Sequence, residues 1–233
     1  VVPQHKLQKR LKLVHNHLAR IRTVSTTPKR LHHRLAAYPQ ATVQTHAHLR
    51  TRSPKDAVPL HYMEIGCGDV MQSREPIIII HGLLGNSMNF HSWANDLFSQ
   101  LESTRRIIVP DLRNHGQSPH HNSMSYREMM EDVLTLMDNL GVDKAELIGH
   151  SLGGKIACAI ALCHPERVKT LAVLDIAPVS YSQEDAAWWQ VDKVIHAMAR
   201  LPLEEVDNRD EADSMLSVDI EDPILRRFAL TNL

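Results

Sequence analysis

Ser151 stands in Gly149-His-Ser-Leu-Gly153, led in by an apolar run (Ala145, Leu147, Ile148) and followed by a helix-like segment from Gly154 to about Cys163. A parallel strand that turns very sharply and leaves as a helix sets such a serine at the apex, in a strained backbone conformation. Glycines two before and two after it remove Cβ atoms where strand and helix pass closely. The helix N-terminus adds unpaired N–H groups and partial positive charge beside the hydroxyl, where a tetrahedral oxyanion would form. The chemistry suggested is nucleophilic attack by Ser151 on a carbonyl carbon. The competing reading is a Gly/Ser-rich turn without chemistry, and the strand before and helix after favour the nucleophile.

A second stretch supplies what that attack needs. Pro76-Ile-Ile-Ile-Ile80 is a β-branched run expected of a central strand buried on both faces, and His81-Gly-Leu-Leu-Gly85 follows it directly. A glycine-rich turn after a central strand can present a backbone N–H toward the nucleophile, so the oxyanion donors expected are the amides of Leu83 and Leu152. His81 reads as a hydrogen-bonding element of that loop and not as a base. A third stretch, Arg106–Pro110, is another buried strand that empties into Asp111-Leu-Arg-Asn-His-Gly-Gln-Ser118. Asp111 and His115 invite a catalytic reading, but their short spacing within a turn suggests hydrogen bonds that lock the loop.

The elements that must position these residues alternate along the chain. Leu60–Ile65 alternates as a half-buried strand, with Gly66–Asp69 as its hairpin turn. Asn89–Leu101 is expected to be a helix with Phe90, Trp93, Leu97 and Leu101 on one face. Ser125-Tyr-Arg-Glu128 is a capping box that starts a helix with Tyr126, Met129, Met130, Val133, Met137 and Leu140 on its apolar face, ended by Gly141. The helix after Ser151 should bury Ile156, Ala157, Ile160 and Ala161, and Val168–Leu174 is a further strand ending at Asp175. This alternation argues for a parallel α/β sheet with right-handed crossovers. Ligands bind at the carboxyl ends of such strands, and Leu83, Ser151 and Asp175 each follow a strand, so they should converge on one edge. Beyond it, Glu184–Leu201 reads as a helix with Trp188, Val191, Ile195 and Met198 on one face. Residues 204–222 hold nine acids, read as a solvated surface, and Pro223–Leu233 begins another helix.

Charge is distributed very unevenly. Residues 1–55 carry 12 Lys/Arg and no acid, leaving 14 basic residues against all 27 acidic ones in 56–233. Leu7, Leu11, Val14, Leu18 and Ile21 repeat at helical spacing within that basic segment, the pattern of a mitochondrial transit peptide. The alternatives are a disordered basic tail or a nucleic-acid arm. Cys67, Cys158 and Cys163 are an odd count without metal-ligand spacing, which suggests a reducing compartment and no metal site. No apolar run approaches the length of a membrane span, so no transmembrane segment is expected.

Taken together, Ile77–Gly85, Pro110–Ser118, Gly149–Lys155 and Asp175–Val179 resemble the α/β-hydrolase superfamily, over roughly residues 57–233. The resemblance implies an α/β-hydrolase fold with a mostly parallel central sheet, incomplete at the C-terminus and carrying a helical cap. The division expected is a disordered basic targeting segment over 1–55 and a partial hydrolase domain over 56–233, with the cap beginning near 182. It also implies a mitochondrial serine hydrolase, in the matrix, acting on a small-molecule acyl ester or lipid. No metal, organic cofactor or nucleic acid is implied, and no protein partner is identified. In this family the catalytic order is Ser, then acid, then His. Ser151 matches the nucleophile, and Asp175 matches the acid of one branch; another branch places the acid one strand later, beyond Leu233. The triad histidine has no counterpart here, since His196, which follows Asp175, lies on the expected cap helix. The full-length gene product is therefore expected to be an esterase and the 233-residue chain poorly active. Acyltransferase and thioesterase activity share the same elbow, and a non-catalytic binding protein on the same fold is the alternative from another class.

Overall fold

The computed structural model describes residues 57–66, 74–102, 105–179 and 186–233, without the side chains of 186–189. The expected targeting segment, most of the expected hairpin turn at 66–69, the start of the cap near 182 and the side chains of Trp188 and Trp189 lie outside what is described. In chain order the elements are β1 (Tyr62–Ile65), β2 (Ile77–Ile80), α1 (His91–Gln100), β3 (Ile107–Pro110), α2 (Tyr126–Asn139), β4 (Ala145–His150), α3 (Leu152–Cys163), β5 (Val168–Leu174), α4 (Ala186–Arg200), α5 (Arg209–Leu216) and α6 (Pro223–Leu230).

The strands form one sheet in the order β1-β3-β2-β4-β5. β2 is parallel to β3 and β4, and β4 is parallel to β5. β1 runs antiparallel to β3, with Tyr62 opposite Pro110 and Ile65 opposite Ile107. The expected hairpin is thus corrected. Both edges of β2 are taken by β3 and β4, so the preceding strand passes over its sequence neighbour and pairs with the outer edge of β3.

Side-chain alternation explains the unbroken isoleucine run. Ile78, Ile80 and Ile108 enter one core with residues of α2, α3 and α4, while Ile77, Ile79, Ile107 and Val109 pack on the other face with Ala94, Phe90 and Leu97 of the α1 region. A strand covered on both faces has no polar side to show. β5 is different: it is an edge strand, and Leu171 and Leu174 are each 38% exposed. At the amino ends of the parallel strands, where antiparallel β1 brings its carboxyl end, lies a row of charges. Arg105 meets Glu146 at 2.8 Å, Lys169 meets Glu75 at 2.6 Å, and Arg106 meets Glu64 at 2.5 Å.

α2 begins as expected, with the Ser125 hydroxyl accepting from Glu128 N–H and the Glu128 carboxylate accepting from Ser125 N–H. Met129, Met130, Val133 and Met137 are buried, whereas Tyr126 is exposed. On α4 the buried face is Val194, Ile195, Ala197 and Met198; Val191 is exposed, so the expected face is rotated. α5 emerges from the acidic stretch because Ala212, Leu216 and Ile220, four apart, bury one stripe while the acids face solvent. Among the described residues no helix is long and apolar enough to cross a membrane.

Candidate active site

The turn between β4 and α3 has the backbone that its glycines foretell. Ser151 sits at φ 51°, ψ −116°, a region costly for any residue with a Cβ. Its N–H donates to the Leu174 carbonyl at 3.0 Å, which ties the turn to the end of β5. The neighbouring glycines are there for space. A Cβ on Gly149 would come within 2.4 Å of the Gly153 carbonyl oxygen, and one on Gly153 within 2.2 Å of the Ile80 carbonyl oxygen. Strand and helix therefore pass as closely as two backbones can.

Four loops leave the carboxyl ends of the parallel strands, and each holds a non-glycine residue at positive φ: Leu84 after β2, Asn114 after β3, Ser151 after β4 and Asp175 after β5. Such conformations cost about 1–3 kcal/mol each and cluster at functional sites. Strain at Ser151 makes a direct prediction. Ser151→Gly relieves about 1–3 kcal/mol of it against about 0.5–1 kcal/mol of added chain entropy in the unfolded state. The variant is expected to unfold at higher temperature than the parent by a few degrees in a thermal melt; an unchanged or lower Tm contradicts the strain.

The loop after β2 reaches the serine. A Cβ on Gly82 would lie 3.2 Å from Ser151 Cβ and 3.0 Å from His150 Nδ1. Leu83 follows Gly82, and its N–H has no hydrogen-bond partner among the described residues, while the next two amides are engaged: Leu84 N–H donates to His115 Nε2 and Gly85 N–H to the Gly82 carbonyl. Leu152 is the first residue of α3, where an N–H has no acceptor within its own helix. Asp175 lies at the end of β5 with its side chain 89% exposed and its Oδ2 3.9 Å from His150 Nε2. The loop that follows it is held from α3 by Lys155, whose Nζ donates to the Val179 carbonyl at 2.8 Å. Burial lowers the Lys155 ammonium from its usual range. The structure thus gathers the loops of Leu83, Ser151, Leu152 and Asp175 at one edge of the sheet.

His196, on α4, hydrogen-bonds through Nδ1 to the Asp192 carbonyl of its own helix. Asp111 is a loop lock, as its spacing suggests. Its Oδ1 accepts from Ser87 N–H at 2.6 Å and its Oδ2 from Gln117 N–H at 2.8 Å, with His61 Nδ1 at 3.0 Å. Burial works to raise the Asp111 carboxyl, but these amides outweigh it and hold the group below its ordinary range. Beneath the loop, Arg113 is fully buried and forks onto Asp132, Nε to Oδ2 at 2.5 Å and Nη2 to Oδ1 at 2.7 Å. Asp132 Oδ1 also accepts Val58 N–H at 2.9 Å. Sequence reasoning missed this pair, as it missed the Lys155 tie and the contacts of His81 and His115 across loops. The only available signal was an arginine inside a turn and an aspartate on the apolar side of α2.

Residues 75–217 match the family described as the alpha/beta hydrolase fold. Over 159 residues the chain is 36% identical to sn-1-specific diacylglycerol lipase ABHD11 of Mus musculus, covering 67% of this chain and 50% of that protein. It is 31% identical over 158 residues to Esterase YbfF of Escherichia coli (strain K12), covering 68% of this chain and 59% of that one. The solved structure of a marine microorganism esterase superposes with a TM-score of 0.68 at 35% identity, over 75% of this chain and 64% of that chain. The chain spans about half the length of the curated relatives it matches. With its strand-elbow-helix, its sheet order and these matches, the chain belongs to the alpha/beta hydrolase fold family.

Proposed function

We propose that this chain supplies the nucleophile, the acid and the oxyanion donors of a carboxylic-ester hydrolase whose substrate is a lipid or other acyl ester. The observation that carries the reading is the backbone of Ser151, held at φ 51°, ψ −116° immediately before the first turn of α3 and beside the Gly82 loop. The names of the relatives, a diacylglycerol lipase and esterases, point to the same bond class.

In this reading Ser151 Oγ attacks the ester carbonyl carbon and gives up its proton to an imidazole base. The carbonyl oxygen takes the electron pair and is held by the Leu83 and Leu152 amides. Collapse of the tetrahedral species breaks the acyl–oxygen bond, and the alcohol leaves with the proton from the imidazolium. Water then repeats the sequence on the acyl-enzyme and regenerates the serine. The base is proposed to be a histidine beyond Leu233, oriented by Asp175. Without a base a serine of this type loses roughly 10^4- to 10^6-fold in turnover, so the 233-residue chain alone is proposed to be poorly active.

A fluorophosphonate probe tests the assignment. In the full-length gene product the Oγ–phosphorus bond should form at Ser151 with loss of fluoride, and Ser151→Ala should abolish labelling. Labelling at another serine, or none, removes the enzyme reading.

A further inference from the structure

Two buried imidazoles have no part in the chemistry just proposed. His81, in the loop after β2, is 0% exposed, and His115, in the loop after β3, is 3% exposed. Their ring centroids are 5.1 Å apart. Each ring hydrogen-bonds backbone at both nitrogens. His81 Nδ1 lies 2.7 Å from the Gly82 carbonyl, which can only accept, so Nδ1 carries the proton and Nε2 accepts Leu112 N–H at 3.0 Å. His115 repeats the arrangement, with Nδ1 donating to the Arg113 carbonyl at 2.9 Å and Nε2 accepting Leu84 N–H at 3.2 Å. The stitching is reciprocal: each loop lends a histidine to an amide of the other. Both rings must be neutral, because a protonated imidazole has no acceptor nitrogen.

The Gly82 carbonyl and the Leu83 N–H are opposite ends of one planar peptide unit, and no cis peptide bond occurs among the described residues. In a trans peptide the two point in opposite directions. The bond from His81 to the Gly82 oxygen, joined by Gly85 N–H at 3.1 Å, therefore fixes the direction of the Leu83 N–H as well. A carbonyl that already accepts hydrogen bonds also polarises the N–H of its own amide. His115 secures the next amide, Leu84, so the peptide is held on both sides.

We propose that His81 and His115 are positioning residues, a reciprocal latch that aims the Leu83 amide at the oxyanion and opens when either ring takes a proton. The aim toward an oxyanion rests on the reading of Ser151 as nucleophile; the latch itself does not. Several groups face His81. Asp111, from the loop after β3, favours a proton on it, while His150, at the end of β4, opposes one. His61, before β1, sits against Asp111, and the Arg113 guanidinium is turned away onto Asp132. Burial outweighs all of these and lowers His81 below the ordinary histidine value. A base with a depressed folded pKa binds fewer protons folded than unfolded, so its contribution is intact above roughly pH 6.5 and is lost as the pH falls below that.

Amide exchange and labelling on the full-length protein test both parts. Beyond the change in intrinsic exchange rate, protection of Leu84 and Leu112 is expected to fall at least tenfold between pH 7.5 and pH 5, with the central-strand amide of Ile79 much less affected. Equal behaviour of the three amides overturns the latch. His81→Phe keeps a planar ring, a somewhat larger one, and removes both nitrogens; it should slow fluorophosphonate labelling of Ser151 by about 10- to 100-fold. His81→Asn returns a donor near the Nδ1 position and should label at least tenfold faster than His81→Phe. Labelling of His81→Phe at the parent rate overturns the positioning role, as does a His81→Asn variant that folds and labels no faster than His81→Phe. A parent that is never labelled sinks the nucleophile reading and the oxyanion role with it, while the exchange experiment still decides the latch.

Discussion

Gly153→Ala is expected to cost about 3 kcal/mol or more of folding stability, at the upper end for overpacking of a core. The added Cβ would lie 2.2 Å from the Ile80 carbonyl oxygen, 2.6 Å from the Ile80 carbonyl carbon and 2.6 Å from the His81 carbonyl oxygen. All three are backbone atoms, and β2 is held between β3 and β4, so none can give way as a side chain would. Relief requires α3 to lift off the sheet, uncovering Ile156, Ala157 and Ile160. Gly141→Ala is the proper control. There φ is 65° and no atom lies within 4 Å of the added Cβ, so only the left-handed backbone is penalised, by about 1–2 kcal/mol. Urea unfolding of both variants separates collision from backbone strain. Equal losses would mean that the close approach of elbow and β2 is not what the structure describes.

The second large effect is expected at the Arg113–Asp132 pair. Both side chains are fully buried, and Asp132 answers the Arg113 guanidinium and the Val58 amide at once. Removing Asp132 takes both of these short hydrogen bonds from the buried guanidinium and leaves it the longer contacts, Glu128 Oε1 at 3.5 Å and the Ser123 and Glu128 carbonyls at 3.3 and 3.4 Å. Breaking a buried pair typically costs about 3–5 kcal/mol, although the intact pair adds little over an apolar replacement. Asp132→Ala should therefore lose about 3–5 kcal/mol in chemical denaturation. Arg113→Met combined with Asp132→Leu should recover part of that loss, the remainder falling on the Val58 N–H and on the Glu128 carboxylate and the Ser123 and Glu128 carbonyls that Arg113 had faced. Single and double variants with the same stability would show that the pair does not share one buried site.

Features set by local steric rules were readable before any coordinates. The Gly149 and Gly153 spacing specifies a close backbone crossing because only glycine can occupy it, and Ser125 with Glu128 specifies a helix start. Long-range hydrogen bonds were not readable. Nothing in the residue types at 81 and 115 tells that each ring accepts an amide 31 residues away, since His81 and His115 gain those partners only when β2 and β3 lie side by side. β1 failed for a related reason: alternation gives a strand but not its partner, and β3 rather than β2 had an edge to offer. α5 was hidden because nine acids in 204–222 mask a narrow apolar stripe at Ala212, Leu216 and Ile220.

The isoleucine run of β2 leaves one matter to other residues. A strand whose two faces are equally greasy would bury about as much apolar surface if it slid by one position, so hydrophobicity alone cannot keep it in frame. The charges at the amino ends can. Arg105 reaches both Glu146 on β4 and the Glu75 carbonyl just before β2, and Lys169 on β5 reaches Glu75. A slide of one residue would misalign that ring of opposite charges and part-buried donors, at the end of the sheet farthest from Ser151. The two ends of these strands thus divide the labour, one indexing the sheet and the other holding the strained loops.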